Sequence, residues 1–376
     1  MPVRRSAKDQ ESMAQLDARP LPRAKDYEDL PEQEVRERAW RARHALGANA
    51  VILTHHYQAD EIVEFGDYRG DSLELSRIAA AQRQAHYIVF CGVDFMAESA
   101  AILAGPEQIV VMPAGEAPCP MAAMATAPDF ATAWAHLEAL WGSNSVTPVV
   151  YQNTGAAVKA FCGAHGGAVC TSANAGPVLA WGLAQRGRVL FLPDRYLSVN
   201  SAHALGIPDE QIGLWLHRRG VLQAPAGPSG LKLVAWDGFC HVHKAFTVSD
   251  VEQARREHPG IRIIVHPECT PEVVQAADQA GSTSFIVRQV EQAPAGTEFG
   301  IGTEAHLVER LAKENPDKLV VPLRRNVCGT MARTDIYNLC YVLEHLAAGQ
   351  PVSVITVEPG VAEQARLALQ RMLDIK

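Results

Sequence analysis

The sequence has eight cysteines, yet no two of them form a C-x-x-C pair. The local signatures of a zinc ribbon, a ferredoxin or a thioredoxin-like redox site are therefore missing. A C-x-x-x-C-x-x-C run of the kind used by radical iron–sulfur enzymes is missing too. No stretch reaches the roughly 18 uncharged apolar residues of a membrane span. The most apolar region, Tyr87 to Gly105, is interrupted by Asp94 and Glu98. The opening segment MPVRRSAKDQESMAQLDARP has two arginines but no apolar run after them, which excludes an ordinary secretory signal. Basic charge is not in excess: the formal net charge is -8, whereas a nucleic-acid binder usually presents a basic patch. These absences predict a cytoplasmic protein without a disulfide scaffold. Any metal site built from its cysteines must gather them from distant parts of the chain.

What the chain does have is alternation. Hydrophobic residues make up 48% and charged residues 20% of 376 positions, a globular composition at a length that predicts more than one domain. Short β-branched runs alternate with Ala-rich helical segments, the pattern of parallel α/β structure. The first round runs through "AVILTHHYQ", "DSLELSRIAAAQR", "YIVFCGV", "FMAESAAILAG" and "QIVVMP". A second begins at "TPVVYQN" and a third at "GIRIIVHPEC". The boundaries expected are an N-terminal arm and helix over 1–44, α/β units over 45–142, 143–258 and 259–330, and a tail over 331–376. The tail reads as helix, strand ("PVSVITV") and helix, packed on the first unit.

Polar landmarks show that the three rounds are copies of one unit. Each first strand ends in a polar cluster: His55-His56-Tyr57-Gln58, Tyr151-Gln152-Asn153 and His266-Pro267-Glu268-Cys269. Hydroxyls mark the later helix starts at Thr171-Ser172 and Thr283-Ser284, while Asp71-Ser72 opens a helix in the first round. The last strand of each unit runs into a loop with one cysteine: Cys119, Cys240 and Cys328. Ligands of parallel α/β units lie outside the carboxyl ends of the strands, where all these landmarks fall. The expected architecture is three similar three-layer α/β/α domains, with parallel sheets arranged around a central site.

Each landmark also has a plainer explanation. A cysteine is ordinarily a small buried hydrophobe, and Cys91, Cys162, Cys170 and Cys340 fit that. Cys269 sits beside Glu268. Cys119, Cys240 and Cys328 differ because each follows a last strand in a polar loop containing Pro or Gly. Three thiolates suit zinc or an iron–sulfur cluster, and His243 offers zinc a fourth ligand. Ser and Thr before helices act as N-caps, but a helix N-terminus also attracts carboxylate or phosphate. His55 with Tyr57, and His266 with Glu268, supply proton donors and acceptors at strand ends. Lys159, Arg195 and Arg325 read as solvated surface charges, and Glu98 and Glu304 as partners of a helix dipole.

The ordered set "HHYQ", "GDSLELSR", "FCGVDFMAESAAIL", "CPMA", "YQNTGAAVKA", "CTSANA", "FLPDRYL", "WDGFCHVH", "HPEC", "GSTS" and "IGTE" resembles the quinolinate synthase family from Val51 to Leu343. The resemblance implies three α/β domains around one 4Fe-4S cluster with three cysteine ligands, Cys119, Cys240 and Cys328. It implies condensation of iminoaspartate (iminosuccinate) with dihydroxyacetone phosphate, giving quinolinate, phosphate and two waters. Substrate-contacting positions map onto His55, Tyr57, Ser72, Tyr151, Asn153, Ser172, His266, Glu268 and Thr283. Of the proton-moving candidates His55, Tyr57, His266 and Glu268, we expect Tyr57 and Glu268 to be the main acid and base. Functional coupling to L-aspartate oxidase or aspartate dehydrogenase is implied as well, with no nucleic-acid or membrane partner. Three positions depart from the family pattern. His56 stands where many members have Asn, Gln152 where Val is usual, and Cys328 stands alone where some members carry further cysteines. The competing readings are an iron–sulfur hydro-lyase or a zinc hydrolase on the same scaffold. A redox sensor would need a DNA-binding motif, and the sequence has none.

Overall fold

A computed structural model describes residues 24–375; residues 1–23 of the expected N-terminal arm lie outside it. Its strands are short, and most carry buried residues on both faces, as parallel sheets covered by helices require. Strands β1 (Ala50–His55), β2 (Tyr68–Gly70), β3 (Tyr87–Cys91) and β4 (Ile109–Val111) pair in parallel in the order β2-β1-β3-β4. Next come β5 (Thr147–Tyr151), β6 (Ala168–Cys170), β7 (Val189–Leu192), β8 (Ile212–Leu216), β9 (Val221–Gln223) and β10 (Leu233–Trp236). They form the order β6-β5-β7-β10-β8-β9, parallel except for the antiparallel β8–β9 pair. The last four, β11 (Arg262–Val265), β12 (Gln279–Ala280), β13 (Glu298–Gly302) and β14 (Leu319–Pro322), pair in parallel as β12-β11-β13-β14. The fold is α/β, and all three sheets share one plan: second strand, first, third, then last. The middle sheet adds a hairpin, β8–β9, that the other two lack. Trp215 in β8 is buried and anchors that addition.

Two compact units result. One comprises the described residues to Gly70, Leu75–Ala117 and Gly329–Thr356; the other comprises Asp71–Glu74, Pro118–Cys328 and the chain from Val357 onward. Inside the first, helices Glu32–Leu46 and Ile336–Ala347 pack together through a core that includes Val35, Ala39, Leu339 and Leu343. Glu344 lies at this seam, receiving Arg38 Nε at 2.9 Å, Arg38 Nη2 at 2.6 Å and the Tyr27 hydroxyl at 2.5 Å.

The tail differs from expectation in two respects. "PVSVITV" makes no strand; only Val354 forms an antiparallel bridge, to Val111 of β4. Ser353 has φ +52°, a left-handed conformation that breaks extended pairing. The final helix, Pro359–Asp374, packs against helix Ala156–Ala164 of the second unit rather than on the first sheet. Gly163 makes that crossing close, since a Cβ there would overlap the Gln364 carbonyl oxygen. Among the described residues no helix is long and apolar enough to cross a membrane.

Candidate active site

In the second unit the ends of β5, β7, β10, β11 and β13 carry most of the polar landmarks. β11 stops at Val265, and the chain turns through His266-Pro267-Glu268-Cys269. Asn200 fixes that turn, its Nδ2 donating to the carbonyls of Pro267 and Cys269 at 2.8 Å each. Glu268 is 2% exposed. Its Oε2 lies 2.7 Å from His243 Nδ1 and 3.3 Å from His266 Nδ1. The two imidazoles stack with ring centroids 4.2 Å apart, and His243 Nε2 meets Thr303 Oγ1 at 3.2 Å. One buried carboxylate thus serves two buried imidazoles, an arrangement able to hold and move a proton. Glu268 Oε1 is buried without a hydrogen-bond partner, which leaves an acceptor for another molecule.

Cys119, Cys240 and Cys328 are half-buried cysteines of this same unit, none of them in a disulfide. Burial pushes the Cys119 thiol up to about 12, with the Cys328 and Glu268 charges adding to it and the Ala122 and Met121 N–H groups opposing it. Burial also drives Cys240 well up, reinforced by Glu268, Cys119 and Cys328 and opposed by the His243 N–H. Each of the three sulfurs thus lies within electrostatic reach of the other two. A metal binding there would displace their protons. The backbone N–H groups that point at Cys119 and Cys240 are the donors that stabilise metal-bound thiolates. Trp236 Nε1 donates to the Met124 carbonyl at 2.8 Å, tying the segment after Cys119 to the strand that leads to Cys240. The residues present fit a three-thiolate metal cluster.

A second donor set, Cys240, His243 and Glu268, brings its ligand atoms within 4.8 Å of one another. It suits a single zinc ion less well. Tetrahedral donors about 2.0–2.1 Å from zinc stand about 3.3 Å apart, but His243 Nδ1 and Glu268 Oε2 approach to 2.7 Å. That spacing is an ion-pair contact between the two side chains, closer than two ligands of one zinc ion would stand.

The remaining predicted residues divide by unit. Tyr151 ends β5, buried in the cluster against which Cys119 and Cys240 pack. Asn153, two residues on, has a buried Oδ1 with no hydrogen-bond partner. Ser172 is half-buried in a turn where the Thr171 N–H donates to Asn174 Oδ1 at 2.8 Å. Ser72 and Thr283 each open a helix, Ser72–Ala81 and Thr283–Gln292. These two starts are joined, because Ser284 Oγ donates to Glu74 Oε2 at 2.6 Å. His55 and Tyr57 lie in the first unit, both buried, with rings edge-on at 4.6 Å and the Tyr57 N–H donating to His55 Nδ1 at 3.1 Å.

Some residues were misjudged from sequence. Lys159 is fully buried, its Nζ donating to the Thr154 carbonyl, because helix Ala156–Ala164 is covered by other elements along the face that carries it. His243 is a partner of Glu268; its place three residues after Cys240 was the available signal. Asn200 gave no signal, since nothing in the middle of a helical segment marks a residue whose partners are distant backbone carbonyls. Glu98 sits in the middle of helix Asp94–Leu103 rather than near its start.

Residues 39–374 match the family model described as quinolinate synthetase A protein. A quinolinate synthase of Anoxybacillus flavithermus is 46% identical over 92% of this chain and 95% of its own length. Those of Bacillus mycoides and Halalkalibacterium halodurans are 44% and 45% identical, each over 93% of this chain and 95% of the relative. A family match over nearly the whole chain, and relatives this similar at nearly full length, place the chain in the quinolinate synthetase A protein family.

Proposed function

We propose that this chain is a quinolinate synthase, condensing iminoaspartate with dihydroxyacetone phosphate to give quinolinate, inorganic phosphate and two waters. The observation that carries the reading is that Cys119, Cys240 and Cys328 each follow the last strand of a sheet and belong to one compact unit, with Cys240 next to His243 and Glu268, in a chain of this family. The three thiols would hold a 4Fe-4S cluster. When bound, such a cluster supplies one iron without a protein ligand, a Lewis acid for a substrate oxygen.

Tyr151, Asn153 and Ser172 orient the substrates through hydrogen bonds, Asn153 through its unpartnered Oδ1. Ser72 and Thr283, at joined helix starts, offer hydroxyls and helix N–H groups to carboxylate or phosphate. Holding two reactants in register lowers the barrier by up to several kcal/mol. Glu268 accepts and returns protons during ring closure and loss of the two hydroxyls, with His266 and His243 as its proton reservoir. His55 and Tyr57 are assigned as substrate-contacting groups on the family likeness, and Tyr57 as the main acid because a phenol at a strand end can donate a proton. The imine comes from an aspartate-oxidising enzyme, an L-aspartate oxidase or aspartate dehydrogenase.

The test is an anaerobic assay of the full chain with dihydroxyacetone phosphate and freshly generated iminoaspartate. Quinolinate and phosphate should appear in equal amounts. An iron-loaded preparation that forms neither overturns the proposal.

A further inference from the structure

A second regularity runs through the three sheets, at the end of the third strand. Asp194 follows β7, Glu304 follows β13 and Asp94 follows β3. Asp194 is fully buried. Its Oδ1 accepts the Leu197 N–H at 2.6 Å, capping helix Arg195–Ala204, while Oδ2 accepts the Cys240 N–H at 3.1 Å. Glu304, also fully buried, repeats the device. Its Oε2 accepts the His306 N–H at 2.8 Å, and Oε1 accepts the Cys328 N–H at 3.2 Å.

A backbone bond accompanies each. The Arg195 N–H donates to the Gly238 carbonyl at 2.9 Å, and the Ala305 N–H to the Asn326 carbonyl at 2.8 Å. Both acceptors lie two residues before the cysteine. In the first unit the Asp94 N–H meets the Ala117 carbonyl at 3.3 Å, and Asp94 Oδ1 takes the Ala117 N–H at 2.5 Å. Ala117 is again two residues before a cysteine in the sequence. Capping a helix needs one side-chain oxygen. The recurring second bond, to the loop of the last strand, needs another reason.

We propose that Asp194 and Glu304 are positioning residues that hold the Cys240 and Cys328 loops in the conformation the metal cluster requires. This rests on the reading of those cysteines as cluster ligands. Fixing the backbone N–H of a ligand residue sets its Cα before metal arrives, so less ordering is left for binding to accomplish. The dipole account of Glu304 from sequence was therefore incomplete.

Serine separates the two roles. Its single oxygen still caps the helix, but the cysteine N–H loses its acceptor. Full-length Asp194→Ser and Glu304→Ser should keep wild-type circular dichroism. Loss of one buried hydrogen bond predicts roughly fivefold to tenfold faster amide hydrogen exchange at the cysteine of the altered loop. Iron release to a chelator should speed by a similar factor, with the other loop's exchange unchanged. Asp194→Asn and Glu304→Gln, which keep side-chain size, serve the same measurement if the serine variants do not fold. Wild-type exchange and release in folded variants overturn the proposal. A wild-type chain that binds no iron or sulfide would instead refute the cluster reading, and the exchange result would still judge the clasp.

Discussion

Glu268 is the residue on which most of the candidate chemistry converges. It is buried, shared by His243 and His266, and keeps one oxygen unpartnered. Glu268→Gln preserves the shape and removes the base, so activity should fall about a hundredfold or more while iron content stays at the wild-type level. Unchanged turnover in the variant would remove Glu268 from the mechanism. His243→Gln should cost less, because His266 remains beside the carboxylate; steady-state rates of the two variants, compared with iron content held equal, check the ranking. At this scale the sequence was informative where a polar residue follows an apolar strand. That rule singled out Glu268, Tyr151 and the three cysteines as candidates. It could not find Asn200 or the buried Lys159, whose surroundings come from segments far away in the chain.

At the scale of elements, the seam between helices Glu32–Leu46 and Ile336–Ala347 has a pH-dependent clamp. Burial pushes the Glu344 carboxyl up, but hydrogen bonds from Arg38 and Tyr27 outweigh it and hold the group below its ordinary value. Its folded value is thus below the unfolded one, about 4.3. The stabilisation is complete above that pH and fades as pH falls through the folded value. Glu344→Gln should lower stability at neutral pH by about 2 kcal/mol or more, since it strands the Arg38 charge. It should also flatten the acid limb of a plot of denaturation midpoint against pH. A parallel plot for variant and wild type would contradict the clamp. Gly163→Ala tests the other helix crossing. With no room for a Cβ, it should destabilise by about 1–3 kcal/mol, read as a lower urea midpoint at unchanged slope. The elements themselves were largely legible because period and punctuation mark them. The β8–β9 hairpin was not, lying among Gly- and Pro-containing loops. Nor was the failure of the "PVSVITV" strand, which depends on one backbone angle at Ser353.

At the scale of the whole molecule, one strand plan occurs three times, and each copy delivers one cysteine after its last strand. Low identity between copies hides the repeat from residue matching, yet element order and strand-end chemistry reveal it. Physical pattern alone left zinc and iron–sulfur open; the family likeness supports the cluster, and the 2.7 Å contact between His243 and Glu268 weighs against zinc. The most direct measurement is iron and acid-labile sulfide per chain after anaerobic purification, in the wild type and in four single variants: Cys119→Ser, Cys240→Ser, Cys328→Ser and Cys269→Ser. About four of each should be found in the wild type and in Cys269→Ser, and far less in the other three. A full complement in any of those three variants, or a colourless wild type carrying zinc, would contradict the account.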